Sequence, residues 1–435
     1  MFMPFSGKRH TFVQEARRDM TSMRNHAQQL ELLRKTLHRV WNKVPLYRKR
    51  MEECGVLPED IRSFEDVARL PLTRKSDLRD AYPTGLLACH PRELVRFHAS
   101  SGTTGKPTVV AYTAKDLEAW NDMMVRGLRL AGVTREDVVQ VSYGYGLFTG
   151  GLGFHQGAER LGATVIPASG GFSERQLMLM EDLGTTVLCC TPSYGLHLGE
   201  LLRKKGKTLP RLRVGIFGAE PWTEGIRKRL EEELGILALD VYGLSEMMGP
   251  GVGMECPSRQ GLHLWDDHTL VEILDPETGV PLPPGEEGVL VLTSLTKEAL
   301  PLIRYWTGDR TRILPGKCSC GREGTRIERI RGRTDDMLIL RGVNLFPSQI
   351  EVALGRVSGL SLHYLIEVQG GETLTEIRVL CEASEGVGEE ERALLERQGQ
   401  EAILQVTGLR IPLSICLPGV IPRSEGKAQR IRRVA

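Results

Sequence analysis

Near the start of the chain, apolar residues recur at three- and four-residue steps. Leu30, Leu33, Leu37, Val40 and Val44 have charged or polar positions between them, the spacing of a helix that buries one face. Residues 12–54 are therefore expected to be helical, with a break at Val44-Pro45-Leu46-Tyr47. Short helices and turns over 64–82 lead to two short strands, 94–98 and 108–112. The period then alternates. Helices are expected over 116–132, 174–183, 193–204 and 224–234, and strands over 138–142, 164–167, 186–190, 212–217 and 238–242. Between 143 and 153 the composition is that of a glycine-rich loop. Strands alternating with helices at this spacing argue for a mostly parallel α/β sheet. From 264 to about 313 the pattern turns strand-rich, and near Gly332 a fresh α/β pattern begins: strand 337–340, helix 347–356, strands 364–368 and 376–381, helix 389–405.

Length and composition narrow the class. A chain of 435 residues exceeds one ordinary core, so two or three domains are expected. With 41% hydrophobic and 26% charged residues it is a folded globular protein. Its 57 basic and 55 acidic residues give no reason to expect nucleic acid or a membrane surface as partner. Nine mostly scattered cysteines, no secretory leader and no apolar run of about 18 residues make the cytoplasm the expected compartment.

Candidate chemistry starts at Ser100-Ser101-Gly102-Thr103-Thr104-Gly105-Lys106-Pro107. A strand, a loop of small hydroxyl and glycine residues and a second strand make an anion-binding concavity. It is no Walker A loop: Ser100 stands where that motif needs Gly, and Pro107 where it needs Ser or Thr. In the loop after strand 138–142, Tyr143, Gly144, Tyr145, Gly146 and Phe148 suit a flat apolar pocket. Two strand ends, Phe217-Gly218-Ala219-Glu220-Pro221 and Asp240-Val241-Tyr242-Gly243-Leu244-Ser245-Glu246, carry polar and aromatic residues where open α/β sheets bind ligands.

In order along the chain, these stretches resemble the acyl-adenylate-forming ligases, and within them the phenylacetate–coenzyme A ligase family. Residues 296–301, 304–309, 332–349 and 422–427 complete the set. The resemblance implies an α/β protein with a large N-terminal adenylate-forming domain over 1–332, including a helical arm over 1–60 and a β-rich subdomain. A hinge at 333–336 and a small mobile α+β C-terminal domain over 337–435 follow. It implies a reaction in which ATP activates an aryl carboxylic acid as acyl-adenylate, releasing pyrophosphate, before the acyl group passes to coenzyme A. Ser101, Gly102, Thr103, Thr104, Gly105 and Lys106 match the phosphate loop, and Glu246 the Mg²⁺ carboxylate. Gly218, Ala219, Glu220, Pro221, Asp240, Tyr242 and Gly243 match the adenine slot. Asp309 would take the ribose hydroxyls, with Arg333 assisting. Lys427 matches the lysine that bridges acid and α-phosphate, and Asp335 the hinge. Arg341 and Gly342 match the pantetheine tunnel, while Tyr143, Tyr145, Phe148 and Tyr194 would frame the aryl ring. A homodimer serving aromatic-acid catabolism is the further expectation. An adenylating enzyme for another carboxylic acid or with a carrier-protein acceptor, and a non-catalytic nucleotide-binding protein, are the alternatives.

Outside that set, Cys318-x-Cys320-Gly321 reads as half a zinc knuckle. Cys256 and His263 are the expected other half, with His268 the substitute, making a structural Cys₃His site.

Overall fold

The computed structural model describes residues 26–100, 107–334, 338–340, 343–369, 376–423 and 429–434. Five parallel strands, Thr164–Ile166, Val138–Val141, Val187–Cys190, Val214–Gly218 and Leu237–Leu244, lie side by side in that order. Gly249–Glu255, Leu262–Leu264 and Arg326–Ile327 extend the sheet antiparallel to eight strands.

Both faces of the sheet are covered, which is why its parallel strands read as apolar runs. Val139, Val141, Val187, Cys189, Ile216, Leu239 and Val241 face the main core. Leu188, Cys190, Phe217 and Ala238 face a second core, beneath helices Pro192–Lys204 and Glu224–Leu234. The periodic leucines of helix His26–Lys43 join the main core as expected. Pro45 opens the next helix, Pro45–Glu53, at a position where a missing N–H costs little.

Residues 149–153 are not loop. They begin helix Thr149–Leu161. Glycine costs about 1 kcal/mol in a helix interior, but here neighbouring elements come too close for side chains. A Cβ on Gly153 would lie 2.6 Å from Trp120 and from Pro250, and one on Gly157 2.5 Å from Met124. Packing against helix Ala114–Leu130 and strand Gly249–Glu255 outweighs local propensity.

Strands Thr269–Leu274, Gly288–Ser294, Tyr305–Thr311 and Gly332–Arg333 form an antiparallel sheet beside the first. The C-terminal body has strands Leu360–Gln369, Glu376–Ala383, Leu413–Cys416 and Ile431–Val434, with helices Pro347–Leu354 and Glu389–Thr407. Its core is separate and already includes Leu338 and Leu345. Polar contacts join the two bodies: His363 Nε2 lies 2.7 Å from Glu200, and Arg203 and Lys204 lie 3.3 and 3.1 Å from Glu385. Among the described residues, no helix is long and apolar enough to cross a membrane.

Candidate functional site

Strands Leu94–Ala99 and Val109–Thr113 pair antiparallel as a hairpin. Ser100 N–H donates to Thr108 O at 2.9 Å and closes the loop. The phosphate-loop residues Ser101, Gly102, Thr103, Thr104, Gly105 and Lys106 lie outside the described residues, as do Asp335, Arg341, Gly342 and Lys427.

The hairpin is tied to two other predicted segments. Ala99 N–H donates to Leu147 O at 2.9 Å, fixing the aromatic loop. The Tyr112 hydroxyl donates to Met248 O at 2.8 Å, and Trp120 Nε1 to Pro250 O at 3.0 Å. The Tyr112 and Trp120 rings stack at 5.4 Å. This aromatic brace holds the segment carrying Glu246.

Glu246 is buried, with Lys75 Nζ 3.9 Å from its carboxylate. A second lysine, Lys297, donates to the Glu246 backbone carbonyl at 3.1 Å. Its Nζ also sits 4.7 Å from the centre of the Tyr112 ring. Burial pushes the Lys297 ammonium down to about 8, with Asp116 and Glu246 partly opposing the shift. Sequence reasoning gave neither lysine a role. The available signal for Lys297 was a lone cation between Leu295 and the apolar run Ala299-Leu300-Pro301.

Residues expected at the adenine slot and at the ribose converge. Ala219, Glu220, Pro221, Asp240, Tyr242, Gly243, Asp309 and Arg333 line one cleft, with Trp222 and Ile330 added to its wall. Gly218 lies just below, where a Cβ would meet Val241 O at 2.2 Å. Ala219 holds φ +71°, a strained backbone of the kind found at binding sites. The Tyr242 hydroxyl donates to Asp309 Oδ2 at 2.6 Å, and Arg333 to Asp309 Oδ1 at 2.8 Å. Burial, then Asp309, pushes the Tyr242 phenol well above its ordinary value, so it remains a donor. Asp240 is engaged at both oxygens, by Trp222 Nε1 at 2.9 Å and Arg329 Nε at 3.1 Å.

The four aromatic-pocket candidates do not come together as one group. Tyr143 is stacked on Phe154 at 5.3 Å. The Tyr145 hydroxyl meets His155 Nδ1 at 3.2 Å, and Phe148 is exposed just before helix Thr149–Leu161. Tyr194 instead lies in the second core across the sheet, with its hydroxyl donating to Gly171 O at 3.1 Å.

Cys256, His263, Cys318 and Cys320 do converge. His268 does not join them: its Nδ1 lies 2.8 Å from Thr296 Oγ1.

Residues 26–296 match the AMP-binding enzyme family and residues 342–433 the AMP-binding enzyme C-terminal domain. The chain belongs to the AMP-binding enzyme family. It is 48% identical to a phenylacetate–coenzyme A ligase of Thermus thermophilus, over 94% of this chain and 95% of that protein.

Two structures of a 2-hydroxyisobutyryl-CoA ligase are similar to this chain. With 2-HIB-AMP in the postadenylation state, that ligase matches at TM-score 0.90 and 28% identity, covering 96% of this chain and 92% of its own. With 2-HIB-AMP and CoA in the thioesterification state, it matches at 0.71 and 29%, covering 96% and 91%.

Proposed function

We propose that this chain is an AMP-forming aryl-acid–coenzyme A ligase. It activates phenylacetate or a close aryl acid with ATP and passes the acyl group to coenzyme A. The observation that carries this reading is the single cleft holding Tyr242, Asp309, Arg333 and the turn 219–221, in a chain so similar to a phenylacetate–coenzyme A ligase.

In this reading the adenine lies against Tyr242 and the 218–221 turn. Asp309, held by Tyr242 and Arg333, presents acceptor oxygens to the ribose hydroxyls. The loop 101–106 binds the leaving phosphates. Glu246 offers a buried carboxylate, the hard oxygen donor that magnesium takes alongside phosphate oxygens. Magnesium there supplies charge neutralisation while two anions, acid and ATP, are brought together. Tyr143, Tyr145 and Phe148 flank the acid, and Tyr194 supports the turn at Gly171 from the opposite layer.

Lys427 bridges acid and α-phosphate during adenylation, as a point charge suited to arriving and leaving. Asp335 is the hinge, within a passage whose flanks, Gly332–Arg333 and Leu338, belong to different bodies. Arg341 and Gly342 line the thiol's approach once the C-terminal body has turned. The reading includes a cytoplasmic homodimer serving aromatic-acid catabolism. Nine cysteines without a disulfide suit a reducing compartment.

The test is pyrophosphate release with ATP and Mg²⁺ against phenylacetate, benzoate, indoleacetate and short fatty acids, with and without coenzyme A. Release with an aryl acid, and thioester only when coenzyme A is present, is expected. Preference for the fatty acids would reject the substrate class. Adenylate that accumulates unchanged by coenzyme A would move the acceptor to a carrier protein. Lys427→Ala should abolish adenylation yet still convert premade acyl-adenylate to thioester; equal loss of both would remove that role.

A further inference from the structure

Four donor atoms from three separated segments meet on the antiparallel side of the large sheet. Cys256 directly follows strand Gly249–Glu255, and His263 lies within Leu262–Leu264. Cys318 and Cys320 come from the turn before Arg326–Ile327. Cys256 Sγ is 3.6 Å from Cys318 Sγ, and Cys320 Sγ is 3.5 Å from His263 Nε2. All four donors lie within 4.8 Å of one another.

These separations are informative. A disulfide needs about 2.0 Å between sulfurs, so the cysteine pair is not bonded. Zinc at its usual distances, in a tetrahedron, sets sulfur–sulfur edges of about 3.8 Å and sulfur–nitrogen edges of about 3.6 Å. Both measured pairs fall close to those edges. We propose that Cys256, His263, Cys318 and Cys320 bind a zinc ion in a closed tetrahedral site, which clamps the 314–325 turn onto the strands beneath the adenine cleft.

The local charge is compatible with the assignment. Three thiolates and a dication leave one net negative charge. Arg322 is buried beside the cluster, 4.1 Å from the centre of the Trp265 ring. None of its three side-chain nitrogens has a hydrogen-bond partner among the described residues. A buried guanidinium in that state draws on nearby anions; Asp266, Asp267 and Cys320 all act on it, and a metal-bound thiolate set adds to them. Protein donors fill every position, leaving none for a reactive water, so the metal is structural.

The clamp acts on the nucleotide site through a short chain of contacts. Cys256 adjoins Glu255, whose carboxylate accepts the Asp240 N–H at 2.8 Å and is paired with Arg227 at 3.0 Å. Asp240 and Leu262 both line the adenine cleft. Metal loss therefore loosens ATP binding more than it slows the acyl chemistry. The metal assignment stands whether or not the ligase reading holds, because metal content is read without turnover.

The test is elemental analysis of the full chain, purified without added metal or chelator. About one zinc per chain is expected, released when a mercurial titrates the thiols. Protein produced with cobalt should show thiolate charge-transfer and tetrahedral d–d absorption. Cys318→Ser with Cys320→Ser should lose the metal and lower the melting temperature. His263→Cys, which keeps four ligands, should retain it, so a folding failure in the first variant does not decide the matter. Mercurial-stripped wild type should show a several-fold rise in KM for ATP with a smaller change in kcat. Zinc well below one per chain, iron in its place, or a Cys256–Cys318 disulfide by mass would overturn the site. Zinc whose removal leaves KM for ATP unchanged would overturn the clamp.

Discussion

Lys297 offers a test in which stability and activity should move in opposite directions. Its side chain is almost fully buried, and burial lowers its pKa from 10.5 to about 8, with Asp116 and Glu246 partly opposing. A depressed folded-state value means that the unfolded chain binds the proton more tightly. Stability from this group is therefore fully present above about 10.5 and is lost as pH falls through about 8. Near pH 7 the full shift corresponds to a penalty of about 3 kcal/mol. Lys297→Met keeps the length and removes the charge. It also strips the Glu246 carbonyl of its donor, at a cost of about 1 kcal/mol. The variant should then be about 2 kcal/mol more stable than wild type at pH 7. That advantage should disappear by pH 10, where the wild-type penalty has fallen below about 1 kcal/mol. Adenylation should fall about tenfold to a hundredfold, because a positive charge next to the Glu246 segment is gone. Paired urea titrations across pH 7 to 10, with pyrophosphate release at pH 7.5, measure both effects. A stability gap that does not change with pH, or a variant weaker than wild type at pH 7, would refute the argument.

Three further outcomes follow from the geometry. Burial pushes Glu200 up, but the His363 hydrogen bond and the charges of His363, Arg423 and Arg229 outweigh it and hold the carboxylate down at about 2. Its stabilisation is present above 4.5 and lost as pH falls through about 2; discounted for solvent screening, it amounts to about 1–2 kcal/mol. Glu200→Gln should thus weaken the docked C-terminal body and slow adenylation about tenfold, while thioester formation from premade adenylate is spared; equal slowing of both steps counts against it. Asp309→Asn should raise KM for ATP at least about tenfold, with a smaller change for 2′,3′-dideoxy-ATP, since the lost contacts are to the ribose hydroxyls; an equal rise for both nucleotides would contradict the ribose role. Gly153→Ala should destabilise the chain by about 1–3 kcal/mol through overpacking against Trp120 and Pro250, read as a lower melting temperature; an unchanged melt would show that the contact relaxes freely.

The periodicity of residues 30–44, the alternation from 116 to 242 and the ordered motifs were sufficient to read the α/β class and to pick out most residues of one cleft. Those features are local: helix faces and strand runs are written in spacing, and Gly218 and Asp309 stand in short contiguous motifs. What the sequence left open depends on who packs against whom. Residues 149–153 have loop composition, and only the approach of Trp120 and Pro250 makes a glycine-rich helix the better arrangement. Lys75 and Lys297 reach Glu246 from positions remote along the chain, which no spacing announces. Tyr194 shares an aromatic character with Tyr143, yet it stands on helix Pro192–Lys204 and packs in the second core, while Tyr143 packs in the main one. His263 and His268 were both compatible with a fourth ligand by composition. The pairing of Leu262–Leu264 with Gly249–Glu255 turns the first toward the three cysteines, because a strand gives alternate residues opposite faces and only tertiary structure says which face meets the cluster.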